Sequence, residues 1–227
     1  GVREDKRLLL DDIDNIEDSD EKLKEKNKDG KDLATQEKNY QRFFYQEAFR
    51  NAITSLRFLQ SDKEIKTITI TSSMPAEGKS LINILLSKTY SELDKKVLLI
   101  DADLRKPQLH VRLGLNNILG LSNLLIDSSL DINNVIQKID GFNNWSVITA
   151  GISPPDPARL LSSEKITKFI SNLKNSDAYD IIIFDTPPVV GLADASLVAE
   201  KTDGSILLVT TEKVPVGLPK DAKKIME

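Results

Sequence analysis

The sequence predicts an α/β fold with a mostly parallel central sheet and helices on both faces, and three stretches predict it. Ile65–Ile70, interrupted by Lys66, Thr67 and Thr69, reads as a strand; it leads through a turn with Pro75 and Gly78 into Lys79-Ser80 and the apolar-periodic segment Leu81–Leu86. Val97–Ile100 is an apolar run ending in Asp101 and Asp103, and Ile181–Phe184 is another ending in Asp185. Strands that alternate with helices imply a parallel sheet covered on both sides. In open sheets of this kind ligands bind beyond the carboxyl ends of the strands, and all three features point to that edge.

Bulk properties exclude several classes. At 227 residues and 40% hydrophobic content the chain can bury the core of one large α/β domain or two small ones. It has no cysteine, which excludes disulfides and thiolate metal sites and agrees with a reducing compartment. No run approaches transmembrane length and no signal peptide is visible, so the chain itself is expected to be soluble. It begins with Gly1 rather than Met and is expected to be a piece of a longer protein. Residues 1–38 hold 13 acidic and 9 basic residues, whereas the remainder holds 22 of each. The body therefore lacks the basic excess of a nucleic-acid binder.

Taken in order, residues 1–38 are charged, free of aromatic residues and too poor in apolar ones to offset their ordering entropy, so they read as a flexible linker. Residues 39–227 read as the folded domain. Phe43, Phe44, Ala48, Phe49, Ala52, Ile53, Leu56 and Leu59 recur at helical spacing, which predicts a helix over Tyr40–Leu59. Glu47, Arg50 and Arg57 share its polar face, either solvated or docked on a neighbouring subunit. The helix after Lys79 is expected to run to about Glu92. Short helices are predicted over Gln108–Leu113, Ser122–Ile126 and Asp131–Lys138, and a strand over Trp145–Thr149. The rigid loop from Pro154 feeds a helix, Glu164–Leu173 is amphipathic, and Asp194–Glu200 is helical. Ser205–Val209 is the fifth predicted strand, and Lys220–Met226 opens a helix.

Strand, turn, Gly-Lys-Ser and helix form the layout of a phosphate-binding P-loop, the Walker A element. Backbone N–H groups at the helix start face an anion, Lys79 adds a charge for β/γ-phosphates, and Ser80 offers a hard oxygen to Mg²⁺. The nucleotide-binding stretch is therefore Ser73, Pro75, Ala76, Glu77, Gly78, Lys79, Ser80 and Leu81, with Ser73 where the standard pattern has glycine. Asp185, at the end of a dry strand, suits the metal shell. Asp101 and Asp103 alternate along an extended chain and need a turn after Ile100 to reach the site together. One would serve the metal and the other would accept a proton or orient the nucleophile; Asp103 could instead cap the next helix. Arg105 could pair with either carboxylate or reach a phosphate. His110, the only histidine, reads as structural.

Four motifs in order carry a family resemblance: Glu47-Ala-Phe-Arg50 with Leu56-Arg57-Phe58; Thr71-Ser-Ser-Met-Pro-Ala-Glu-Gly-Lys-Ser80; Val97-Leu-Leu-Ile-Asp-Ala-Asp-Leu-Arg-Lys-Pro107; and Ile182-Ile-Phe-Asp-Thr-Pro-Pro188 with Asp194-Ala195. The stretch Ala150–Leu161 adds a fifth likeness. From about Phe44 onward the chain resembles the cytoplasmic kinase domain of the bacterial tyrosine kinases (BY-kinases) of capsular and exopolysaccharide biosynthesis. The resemblance implies a P-loop NTPase fold, ATP, Mg²⁺ and tyrosine phosphorylation, including phosphorylation between subunits of a ring. It implies catalytic roles for Lys79, Asp101 and Asp103, metal roles for Ser80, Asp101 and Asp185, and subunit contacts through Glu47 and Arg50. It also implies a membrane polysaccharide co-polymerase module, fused upstream or supplied as a partner, and a place at the cytoplasmic face of the inner membrane.

Three departures stand out. Ile53 occupies the position of the second arginine in the family's Glu-x-x-Arg-x-x-Arg assembly motif, which predicts weakened assembly. Ala76 replaces a frequent loop glycine. The family's tyrosine-rich tail is missing, since the chain stops at Glu227 before the expected end of the domain. Two rival readings are a MinD/ParA-type ATPase, whose signature loop lysine is replaced by Met74, and a nucleotide-binding co-polymerase subunit without catalysis.

Overall fold

The computed structural model describes residues 32–58 and 64–210, apart from the side chains of 32–42 and Arg57. Helix α1 (Asp32–Phe58) comes first. The rest is β1 (Thr67–Ser72), α2 (Lys79–Glu92), β2 (Val97–Asp101), α3 (Leu109–Leu113), α4 (Leu121–Ile126), β3 (Ile136–Lys138), β4 (Trp145–Ile148), α5 (Pro157–Leu161), α6 (Glu164–Asn175), β5 (Ile181–Asp185), α7 (Asp194–Ala199) and β6 (Gly204–Leu208). Helix α1 thus begins inside the stretch expected to be linker. The helix predicted over Lys220–Met226 lies outside the described residues.

The strands form one sheet in the order β3-β4-β2-β5-β1-β6. All pairs are parallel except β3 with β4, which is antiparallel. This edge corrects the helix predicted over Asp131–Lys138. Asp131 accepts from the Asn133 N–H and closes a single 3₁₀ turn, Ile132–Asn134, after which Ile136–Lys138 pairs with Ser146–Ile148. An eight-residue helical pattern is too short to compete with an available sheet edge.

Period two divides the strand side chains between two cores. Val97, Leu99, Val147, Ile181 and Ile183 pack on one face with Ile84, Leu86 and Tyr90 of α2 and Ile53 of α1. Leu98, Ile100, Ile148, Ile182 and Phe184 pack on the other with Leu121 and Leu125 of α4, Ile166, Ile170 and Leu173 of α6 and Val198 of α7. Near-continuous apolar runs in β2 and β5 are what a sheet buried on both faces demands.

Candidate active site

The site forms where β1, β2 and β5 end. In β2, Val97 and Leu99 face α2, so the same alternation puts Asp101 on that face; in β5, Ile181 and Ile183 do the same for Asp185. The register places Asp101 beside Asp185 and Ile70 beside Asp185. Both carboxylates are 0% exposed. Helix α2 meets them with Lys79 and Asn83, one turn apart. Lys79, only 7% exposed, forms an ion pair with Asp185 Oδ1, and Asn83 Nδ2 donates to the same oxygen at 2.7 Å. Asp185 Oδ2, Asn83 Oδ1 and Ser73 Oγ are buried and have no hydrogen-bond partner among the described residues.

The loop between β1 and α2 is held from several sides. Ser73 N–H donates to Leu208 O at 3.2 Å, and Ser72 Oγ donates to Met74 O at 2.9 Å. The Glu77 carboxylate accepts from the Met74 N–H at 2.6 Å and from the Thr210 N–H at 2.8 Å, which ties the loop to the end of β6. Ala76 (φ 65°) and Gly78 (φ 80°) both lie in the left-handed region. Ala76 thus adopts the conformation that favours glycine. Gly78 caps α2 without a side chain, so the first N–H groups of α2 keep the character of an anion site. Pro75 lies in the exposed part of the loop, and Ser80 and Leu81 are half-buried in the first turn of α2.

The turn after β2 is built by Asp101 itself. Its Oδ1 accepts from the Asp103 N–H at 3.2 Å, and its Oδ2 accepts from the N–H groups of Gln108 and Leu109 at 3.2 and 3.1 Å. Asp101, not Asp103, therefore caps α3. Asp103 accepts from the Lys106 N–H at 3.0 Å and keeps a small exposure. Burial pushes the Asp101 carboxyl well above the ordinary carboxylate range, reinforced by the charge of Asp185 and opposed by the Leu109 N–H. Burial also raises Asp103, against the Lys106 N–H and the charge of Lys79.

Arg105 pairs with neither Asp101 nor Asp103. Its Nε and Nη2 donate to the two oxygens of buried Asp194 at 2.7 and 3.0 Å, so the turn after β2 is clamped to the start of α7. On α1, Arg50 is exposed and pairs with half-buried Glu47 at 3.1 Å. Ile53 is 1% exposed and packs in the core with α2, away from that pair.

The structure thus gathers Lys79, Asp101, Asp103 and Asp185 and keeps Glu47 and Arg50 apart on the outer helix. The Lys79 side chain itself lies buried against Asp185. Sequence reasoning missed Asn83 as a member of the site. Its signal was a lone amide four residues after Lys79, inside the apolar run Leu81–Leu86.

Strand order, phosphate loop and carboxylates together define a P-loop nucleoside triphosphatase fold. A family model described as an AAA domain matches residues 65–214. The tyrosine-protein kinase YwqD of Bacillus subtilis is 38% identical over 181 residues, 78% of this chain and 74% of that protein. The chimerical protein CapA2B2 superposes with a TM-score of 0.74 at 31% identity, covering 79% of this chain and 77% of that one. The kinase domain of the Escherichia coli tyrosine kinase ETK gives 0.74 and 31%, covering 80% and 69%. MinD of Pyrococcus horikoshii, solved with Mg-ADP, shares the fold alone at 24% identity and a TM-score of 0.58, covering 70% and 63%. The chain belongs to the bacterial tyrosine-protein kinases, whose members include those of capsule and exopolysaccharide synthesis. Full-length etk of Escherichia coli is much longer, and the match spans 22% of it.

Proposed function

We propose that the cluster of Lys79, Asp101, Asp103 and Asp185 transfers the terminal phosphoryl group of ATP to a tyrosine hydroxyl. The observation that carries this reading is the meeting of three carboxylates and a buried lysine beside a helix start that no side chain caps. The N–H groups from Ala76 to Leu81 cradle the phosphates, and Lys79 turns from Asp185 to the β/γ-phosphates. Ser80 and Asp185 suit Mg²⁺: both present hard oxygens, and Asp185 Oδ2 is a buried acceptor without a partner among the described residues. Mg²⁺ held there would neutralise charge on the phosphates. Asp101 has one lone pair left on Oδ1 and none on Oδ2, and serves that shell less directly, its main work being the turn.

Asp103 is the better-placed proton acceptor. It retains exposure, and its raised pKa brings it closer to the ordinary pKa of the tyrosine hydroxyl, about 10. As the tyrosine oxygen bonds to phosphorus, its proton passes to the carboxylate and ADP leaves. The Glu47–Arg50 face of α1 serves contact between copies of the chain. A membrane polysaccharide co-polymerase module, fused upstream or separate, holds the kinase at the cytoplasmic face of the inner membrane. Among the described residues no helix is long and apolar enough to cross a membrane. Nucleic acid is not expected as a partner.

Labelled ATP supplied with a separate tyrosine-rich peptide tests the reading. Phosphotyrosine on the peptide is the expected result. Free phosphate released at a substantial rate without peptide labelling would favour an ATPase instead.

A further inference from the structure

We infer that Asn83 is a positioning residue that holds the Asp185 carboxylate in place when Lys79 leaves it for a nucleotide. The inference rests on the proposed nucleotide role of Lys79. Lys79 and Asn83 share one oxygen, Asp185 Oδ1, while Oδ2 has no partner among the described residues. Once Lys79 turns to a phosphate, Oδ1 loses its only cation, and a carboxylate with no remaining donor is costly at 0% exposure. The Asn83 amide is the donor that remains.

Asn83 is 0% exposed, and its one side-chain hydrogen bond among the described residues goes to Asp185. The other buried polar side chains of α2 beyond it, Ser87, Lys88, Thr89 and Ser91, bond elsewhere. The Asn83 Oδ1 has no partner among the described residues, so the position does not satisfy the whole amide. An apolar side chain would fill the position without that loss. A neutral donor has one advantage over a second cation: it fixes Oδ1 without drawing charge away from the ligand that Oδ2 would meet.

Two double-substitution cycles test this on the whole chain. In the first, unfolding by denaturant is measured without nucleotide for Asn83→Leu, Lys79→Met and both together. Coupling is expected: Asn83→Leu should lower the unfolding midpoint far more when Lys79 is already Met, because Asp185 then has no donor at all. Additive losses would overturn the proposal. In the second, binding of a non-hydrolysable ATP analogue with Mg²⁺ is followed by calorimetry. Asn83→Leu should weaken it about tenfold in the native background, the size expected for one hydrogen bond to a charged group, and leave it unchanged beside Asp185→Asn. Equal weakening in both backgrounds would mean a purely structural role and would also overturn it. If the leucine variant does not fold, Asn83→Ala takes its place in both cycles. Failure of the unsubstituted chain to bind the analogue would count against the proposed function, while the first cycle still decides for or against Asn83.

Discussion

Lys79 pairs with buried Asp185, and the proposed function gives it a phosphate as a competing partner. Lys79→Met should therefore abolish nucleotide binding in calorimetry and also cost stability, about 2–3 kcal/mol by denaturant unfolding, because a buried carboxylate loses its cation. The two aspartates after β2 should separate in the same way. Asp103→Asn is expected to abolish peptide phosphorylation while ATP still binds and the unfolding midpoint barely moves. Asp101→Asn should also abolish phosphorylation, but with a loss of about 2 kcal/mol in stability. The substituted amide turns a donor toward backbone N–H groups that now bond to carboxylate oxygens. Stability measured beside phosphotransfer distinguishes the two residues; equal stability losses would contradict the turn-building role of Asp101.

At the scale of elements, the phosphate loop and α1 carry the informative features. Ala76 sits at φ 65°, where a side chain is strained. Ala76→Gly should raise stability by up to about 1 kcal/mol and leave the loop competent, as read by denaturant unfolding and ATP titration. Helix α1 divides its work between faces. Ile53 anchors it to α2, and the Glu47–Arg50 pair lies outside. Such an exposed pair contributes at most about 0.5 kcal/mol to the fold. The Glu47→Ala, Arg50→Ala double variant should therefore keep its unfolding midpoint while losing self-association in sedimentation. Association unchanged by the double variant would place the contact on another surface.

At the scale of the molecule, the sheet also holds an ion pair away from the phosphate loop. Asp203, just before β6, accepts from the N–H groups of Lys66 and Thr67 and from the Thr67 hydroxyl, and it pairs with Lys174 of α6. Burial alone would raise its pKa, but Lys174 and the Thr67 and Lys66 donors outweigh burial and hold it at about 2. The folded pKa lies below the unfolded one, so its stabilisation is complete above about pH 4 and is lost as pH falls toward 2. The contribution is about 1–2 kcal/mol. Asp203→Asn should lower stability at pH 7 and narrow its gap to the native protein as pH falls through that window. Asp101 and Asp103, raised rather than lowered, contribute with the opposite sign, so the difference between native and Asp203→Asn curves is the clean measure.

The amino-acid sequence by itself determined five of the six strands, the phosphate loop and the edge at which the carboxylates lie. Those depend on local pattern: apolar runs long enough for a doubly covered strand, Gly-Lys-Ser at a helix start, and alternation that sends Asp101 and Asp185 to one face. What joins parts distant in the chain was decided only by tertiary structure. Arg105 reaches Asp194 because the turn after β2 and the start of α7 meet above the sheet. Ile136–Lys138 becomes a strand because β4 offers an open edge. Lys79 and Asn83 converge on one oxygen of Asp185 because β5 lies between β1 and β2, a strand order that no local spacing encodes. Local sequence sets which groups each element carries; the free energy of burying two faces of one sheet sets which of them meet.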